Sequence, residues 1–220
     1  MAKKSDTKAL DNFMPNTSSQ SILLEEYRAL HDEYIHQSDE GVTRMNFFIT
    51  AMSVVLGSVL VLTTSTNPLM ISYLRLMLLT ALVIMITIGI DVFGFLTQRD
   101  IVRDHDLRGM ARIRNYFVSL DPDVAKYFLN KIFDNPSRHL VANNSGMRRS
   151  TEIIVGFLVG VAVTVLSSYF NIVLGISIVV GLGATIFTAL FLELNALGRL
   201  KNASRNAEKE IKFDENRDAN

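Results

Sequence analysis

Between residues 96 and 117 the chain reads LTQRDIVRDHDLRGMARIRNYF, a stretch whose arginines, aspartates and single histidine are the residue types that bind metals, phosphates or nucleic acid. A metal site would draw on Asp100, Asp104, His105 and Asp106. On a continuous helix Asp100 and Asp104 share a face, but His105 and Asp106 turn about 100° and about 200° beyond Asp104. That divergence is a poor match to the convergent ligands a transition metal needs. Nucleic-acid binding would use Arg99, Arg103, Arg108, Arg112 and Arg114 with Tyr116 and Phe117 as stacking groups. The interleaved aspartates repel phosphates and the arginines do not share one face, so neither a metal nor a nucleic acid is expected. The account that fits is a membrane-proximal connector helix. Its basic groups lie near lipid phosphates, its acids find partners within the helix, and Met110, Ile113 and Phe117 form an apolar stripe. Arg108, Arg112 and Arg114 are the candidate contacts for an anionic lipid or a small anionic ligand, because the arginine fork suits phosphate, although no glycine-rich cradle accompanies them.

Asp91, in ITIGIDVFGFL, is the second candidate. An ionisable group inside an apolar run is costly and marks either function or an interfacial carboxylate paired with a basic neighbour. Glu152 and Glu193 read as interfacial, and Arg75 as snorkelling outward. No charge lies near the middle of any apolar run, which speaks against a proton-coupled pump. Helix packing is the third theme. Gly156 and Gly160 lie four apart, as do Ser177, Gly181, Thr185 and Ala189. Small residues at this spacing let helices approach closely in lipid, either within one chain or between copies. There is no nucleophile elbow, no zinc-protease motif, no phosphate loop and no cysteine, so neither an enzyme nor a cofactor is expected.

The elements that must position these groups follow from the apolar blocks. Hydrophobic residues make up 49% of the 220 and charged residues 20%, with 22 basic and 22 acidic groups. The apolar ones are gathered into runs, which is a membrane profile. Residues 46–64 carry no charge and would span about 28 Å as a helix. A second run extends from about Ile71 to Leu96, after a link in which Asn67 and Pro68 supply turn chemistry and Pro68 suits a helix start. Residues 153–170 and 172–192 form a third and a fourth, broken near Asn171. The fold class expected is an all-α membrane protein with four transmembrane helices arranged as two hairpins.

Lysine and arginine counts set the topology. Five precede the first run, ten lie in residues 98–149, six follow Glu193, and the two hairpin connections hold only Arg75. Both termini and the middle segment should therefore be cytoplasmic. On that side the Asn-x-Ser sequences at Asn16, Asn143 and Asn202 are chance matches. The polar first 45 residues contain no cleavable leader pattern. The expected organisation is a mobile tail (1–17), a cytoplasmic amphipathic helix (18–45), hairpin one (46–97), a cytoplasmic helical segment (98–151), hairpin two (152–194) and a cytoplasmic tail (195–220), mobile from about residue 203. In the first cytoplasmic helix Leu23, Tyr27, Leu30 and Tyr34 form a stripe, for a partner or for the chain's own core. In the middle segment a second helix is expected over LDPDVAKYFLNKIFD, capped by Asp121, opened by Pro122 and ended by Asn135 and Pro136.

Two segments, LLEEYRALHDEYIHQSDEGVTRMNFFITAMSVVLG and RDHDLRGMARIRNYF, together resemble small four-span bacterial membrane proteins. The helix-then-hairpin layout of the first hundred residues also resembles the SLATT group of membrane effectors, with an additional hairpin that departs from that group's two-span pattern. The resemblance implies a membrane pore formed on receipt of a cytoplasmic signal. The functional expectation is thus an oligomeric channel or pore-forming effector in the cell membrane. Its alternative is a non-conducting, membrane-anchored interaction or signalling protein with a cytoplasmic protein partner.

Overall fold

The computed structural model describes residues 17–64, 68–136, 146–170 and 172–213, and these are helical throughout apart from short connections. Helix α1 spans Thr17–Thr64, α2 Pro68–Leu120, α3 Gly146–Tyr169 and α4 Leu174–Lys209, with a 3₁₀ turn at Pro122–Tyr127 after α2. Three helices among the described residues are long and apolar enough to cross a membrane, in the stretches Tyr73–Leu120, Gly146–Ser167 and Leu174–Lys209. Along α4, Ile176, Val179, Leu182, Ile186, Phe187 and Leu190 are all exposed. A continuous apolar face of that length is unsuited to water and is what lipid contact requires.

Helices α1 and α2 run antiparallel, joined by a ladder of contacts that begins in their polar halves. The Arg114 guanidinium lies 5.7 Å from the Tyr27 ring centre and that of Arg103 lies 4.4 Å from the Tyr34 ring. Between these, Leu30 fits against Gly109, where a Cβ would come within 2.9 Å of Leu30 Cδ1. Nearer the apolar end the Arg99 guanidinium lies over Gly41, in the space a side chain would fill. Arg44 stacks 3.9 Å from the Phe95 ring centre. The stripe of Tyr27, Leu30 and Tyr34 thus covers the chain's own second helix. The physical reason is that α2 continues unbroken from its apolar run into the charged stretch, so α1 has a rigid surface along its whole length.

The apolar core lies where all four helices meet. Phe48 of α1, Leu82 and Leu96 of α2, and Val155 and Leu158 of α3 are fully buried, and Leu192 and Ala196 of α4 close the cluster. Gly89 makes the three-helix contact possible, since a Cβ there would lie 2.5 Å from Val155 Cγ2 and 2.9 Å from Phe48 Cζ. Helices α3 and α4 pack antiparallel along the small-residue stripes. A Cβ on Gly156 would sit 2.9 Å from the Thr185 carbonyl and 3.5 Å from Ala189 Cβ. One on Gly160 would lie 2.7 Å from the Gly181 carbonyl, and one on Gly181 2.8 Å from the Gly160 carbonyl. Ser177 is buried in the same seam, its carbonyl 3.4 Å from Thr164 Oγ1. These stripes therefore serve packing within the chain.

Two expectations about secondary structure fail. The helix expected over residues 121–135 shrinks to the 3₁₀ turn: Asp121 does cap it, accepting from the Asp123 N–H at 3.0 Å, but beyond Tyr127 the chain leaves helical geometry. The carbonyls of Lys131 and Asp134 accept hydrogen bonds from arginines of α2, which hold this stretch in a non-helical course. The tail expected to be mobile from about residue 203 is helical through Lys209, with Ser204 and Ala207 buried. Residues 1–16 of the tail expected over 1–17, the turn at Asn67, the return stretch 137–145, the break at Asn171 and residues 214–220 lie outside the described residues, while Thr17 opens α1.

Candidate functional site

The polar half of α2 is not a solvated charged helix. Arg99, Asp104, Asp106, Arg108 and Arg114 are all buried, while His105 points outward and is exposed. A buried guanidinium must find acceptors, because desolvating it otherwise costs several kcal/mol, on the order of the penalty for an unpaired ion. The three arginines at 108, 112 and 114 find theirs in two segments distant in sequence, 128–136 and 207–213.

Arg108 donates from Nε to the Asp134 carbonyl at 2.7 Å and from its terminal nitrogen to the Ala207 carbonyl at 2.8 Å. Arg112 donates from Nε to the Asp134 carboxylate at 2.7 Å and from its terminal nitrogen to the Glu210 carbonyl at 2.9 Å. Arg114 donates to the Lys131 carbonyl. The carboxylate of Asp134, fully buried, is the hub. Its Oδ2 also accepts from the Lys212 N–H at 3.0 Å, and its Oδ1 from the Phe213 N–H at 2.9 Å. Arginines on one rigid helix thus clamp the post-helix segment and the C-terminal strap, residues 210–213, into one unit.

The charge state of Asp134 follows from these partners. Burial alone would raise its pKa, but the Lys212 N–H, the Arg112 guanidinium and the Phe213 N–H outweigh that and hold the carboxyl below the ordinary aspartate value. The clamp is therefore closed with Asp134 ionised.

A second buried polar layer lies about two to three helical turns toward the apolar core. Asp100 receives Arg99 at 3.2 Å and Arg148 of α3 at 3.2 Å, and both guanidinium-bearing side chains are nearly inaccessible. Arg99 also reaches Met147 Sδ at 3.4 Å, and Thr151 donates to the Met147 carbonyl at 2.9 Å. This layer ties α2 to the start of α3. Asp100 therefore finds a partner on another helix and not only within α2. Buried and without a hydrogen-bond partner among the described residues are Nε of Arg99 and of Arg103, and Oδ2 of Asp106.

Asp91 lies apart from both layers. It is exposed and lines a cleft of about 310 Å³ between α2 and α4 with Gly94, Asn195 and Arg199. Among the described residues no group of three His, Asp or Glu side chains converges as metal ligands would.

The structure thus gathers Arg108, Arg112 and Arg114 into one site, gathers the six small residues into another, and leaves Asp91 at the lateral surface. Sequence reasoning missed Asp134, which sits in the unremarkable turn NKIFDNP, and the strap that binds it, 78 and 79 residues further on. Long-range partners of this kind leave no periodic signal. Comparison of the chain with protein-family models, with curated proteins and with solved structures finds no match.

Proposed function

We propose that the chain is a four-span protein of the cell membrane, with both termini and the 98–151 segment cytoplasmic, that forms an oligomeric channel or pore under control of a cytoplasmic signal acting on the arginine clamp. The fourth span is the charge-free second half of α1, residues 46–64, and the basic flanks orient the bundle. The observation that carries the reading is the continuity of α2: one helix of 53 residues bears both an apolar segment and the clamp arginines. A helix transmits rotation or translation along its axis without a hinge, so a change at Arg108 to Arg114 reaches the apolar core around Leu82 and Leu96. The resemblance to the SLATT group agrees with an effector of this kind.

A second reading, a non-conducting membrane-anchored interaction or signalling protein, is favoured by a specific feature. The small-residue faces that would have joined copies are used within the chain between α3 and α4. One experiment separates the two. The mass of the detergent-purified particle is measured, then dye and ion leakage from loaded liposomes, for the wild type and for Asp134→Ala, in which the clamp loses its central carboxylate. A defined oligomer that leaks more in the variant supports the pore. A particle of one or two copies that leaves liposomes sealed in both forms refutes it and directs attention to a cytoplasmic partner.

A further inference from the structure

Three donors converge on the Asp134 carboxylate: the Arg112 guanidinium at 2.7 Å and two consecutive main-chain N–H groups, those of Lys212 at 3.0 Å and Phe213 at 2.9 Å. Consecutive N–H groups turned to one point form an anion-binding concavity, and a guanidinium beside them supplies charge and a directed donor. The carboxylate is wholly buried, and these three partners all come from the protein. Nothing in this donor set is specific to an aspartate side chain. Any oxyanion with two or more oxygens presents the same acceptors.

We propose that the clamp is an oxyanion-binding site in which Asp134 acts as an internal ligand, and that a small cytoplasmic molecule with a carboxylate or phosphate terminus competes for it. The proposal deepens the functional reading above by naming the chemistry of the signal, and it rests on that reading only for the consequence in the membrane. Displacement of the Asp134 carboxylate parts the strap from the 128–136 segment: the strap stays on Arg112 through the incoming anion, and the Arg108 and Arg114 bonds to the Asp134 and Lys131 carbonyls keep the segment on α2. Arg108 reinforces the positive field, since it already donates to the Asp134 and Ala207 carbonyls. Glu210, whose carboxylate is 3.9 Å from Arg108 and largely exposed, opposes it and disfavours highly charged ligands.

The test is chemical rescue. In Asp134→Ala the Lys212 and Phe213 amides lose their acceptor, and their hydrogen exchange should accelerate on the order of 100-fold. Acetate or inorganic phosphate should slow it again, and chloride at matched ionic strength should not. The same anions should do nothing in Asp134→Ala/Arg112→Met. Rescue by phosphate alone would assign the site to phosphate ligands, and rescue by acetate as well would assign it to carboxylates too. If neither anion slows exchange while α3 and α4 keep wild-type protection, there is no oxyanion site and Asp134 is a latch only. Liposome leakage is recorded on the same samples: rescue without any leakage leaves the anion site standing and removes the pore, whereas leakage without rescue does the reverse.

Discussion

Replacing Asp134 by alanine should release the strap residues Lys212 and Phe213 from the post-helix segment without unfolding the bundle, because the arginine bonds to the main-chain carbonyls of Lys131, Asp134, Ala207 and Glu210 remain. The substitution removes the acceptor of one charge-assisted bond from Arg112 and of two backbone bonds from Lys212 and Phe213. Breaking a buried ion pair by deleting one member costs about 3–5 kcal/mol. Arg112 retains some solvent access and its bond to the Glu210 carbonyl, which places the cost near the lower end, about 3 kcal/mol. At roughly tenfold per 1.4 kcal/mol this is on the order of 100-fold in the local opening equilibrium. Amide hydrogen exchange reads it directly at Lys212 and Phe213, with α3 and α4 as internal reference. Acid should produce the same release in the wild type. The folded pKa of Asp134 is depressed, so its contribution is complete above the ordinary aspartate value of about 3.9 and is lost as pH falls through the lower folded value. Protection of Lys212 and Phe213, taken relative to the intrinsic exchange rate at each pH, that is unchanged in the variant or that falls only as pH increases would refute the hub role of this carboxylate.

Three further outcomes are expected. Gly160→Ala places a Cβ 2.7 Å from the Gly181 carbonyl and should destabilise the α3–α4 pair by about 1–3 kcal/mol. Gly183→Ala, which meets nothing within 4 Å, should be neutral or stabilising by up to about 1 kcal/mol through helix propensity, and thermal unfolding in detergent compares the two. Asp100→Ala leaves Arg99 and Arg148 buried without their shared counter-charge and should cost about 3–5 kcal/mol, while Asp100→Ala/Arg148→Met should recover part of that loss in the same assay. Tyr34→Phe keeps the ring under Arg103 but removes the 2.5 Å hydrogen bond to its hydroxyl. It should cost about 0.5–1.5 kcal/mol and increase protease cleavage in the polar half of α1, whereas unaltered cleavage in Tyr34→Ala would deny that this contact holds α1 to α2.

The sequence by itself determined the helical class, the extents of the long apolar segments, the start of α2 at Pro68 and its passage through the charged stretch to Leu120. These are local properties, set by hydropathy over a window and by the absence of any proline between Pro68 and Leu120. It also marked Gly156, Gly160, Gly181 and Thr185 as a packing face, because small residues at every fourth position are visible without knowing the partner. Only the tertiary structure decided that the partner is α4 of the same chain. It likewise decided that Arg108, Arg112 and Arg114 turn inward to hold Asp134 and the strap, and that the 128–136 segment presents main-chain carbonyls to them. An arginine has the same letter whether it faces lipid phosphate, water or a buried carbonyl. Which it faces depends on acceptors tens of residues away, brought to it by the packing of helices that share no local pattern.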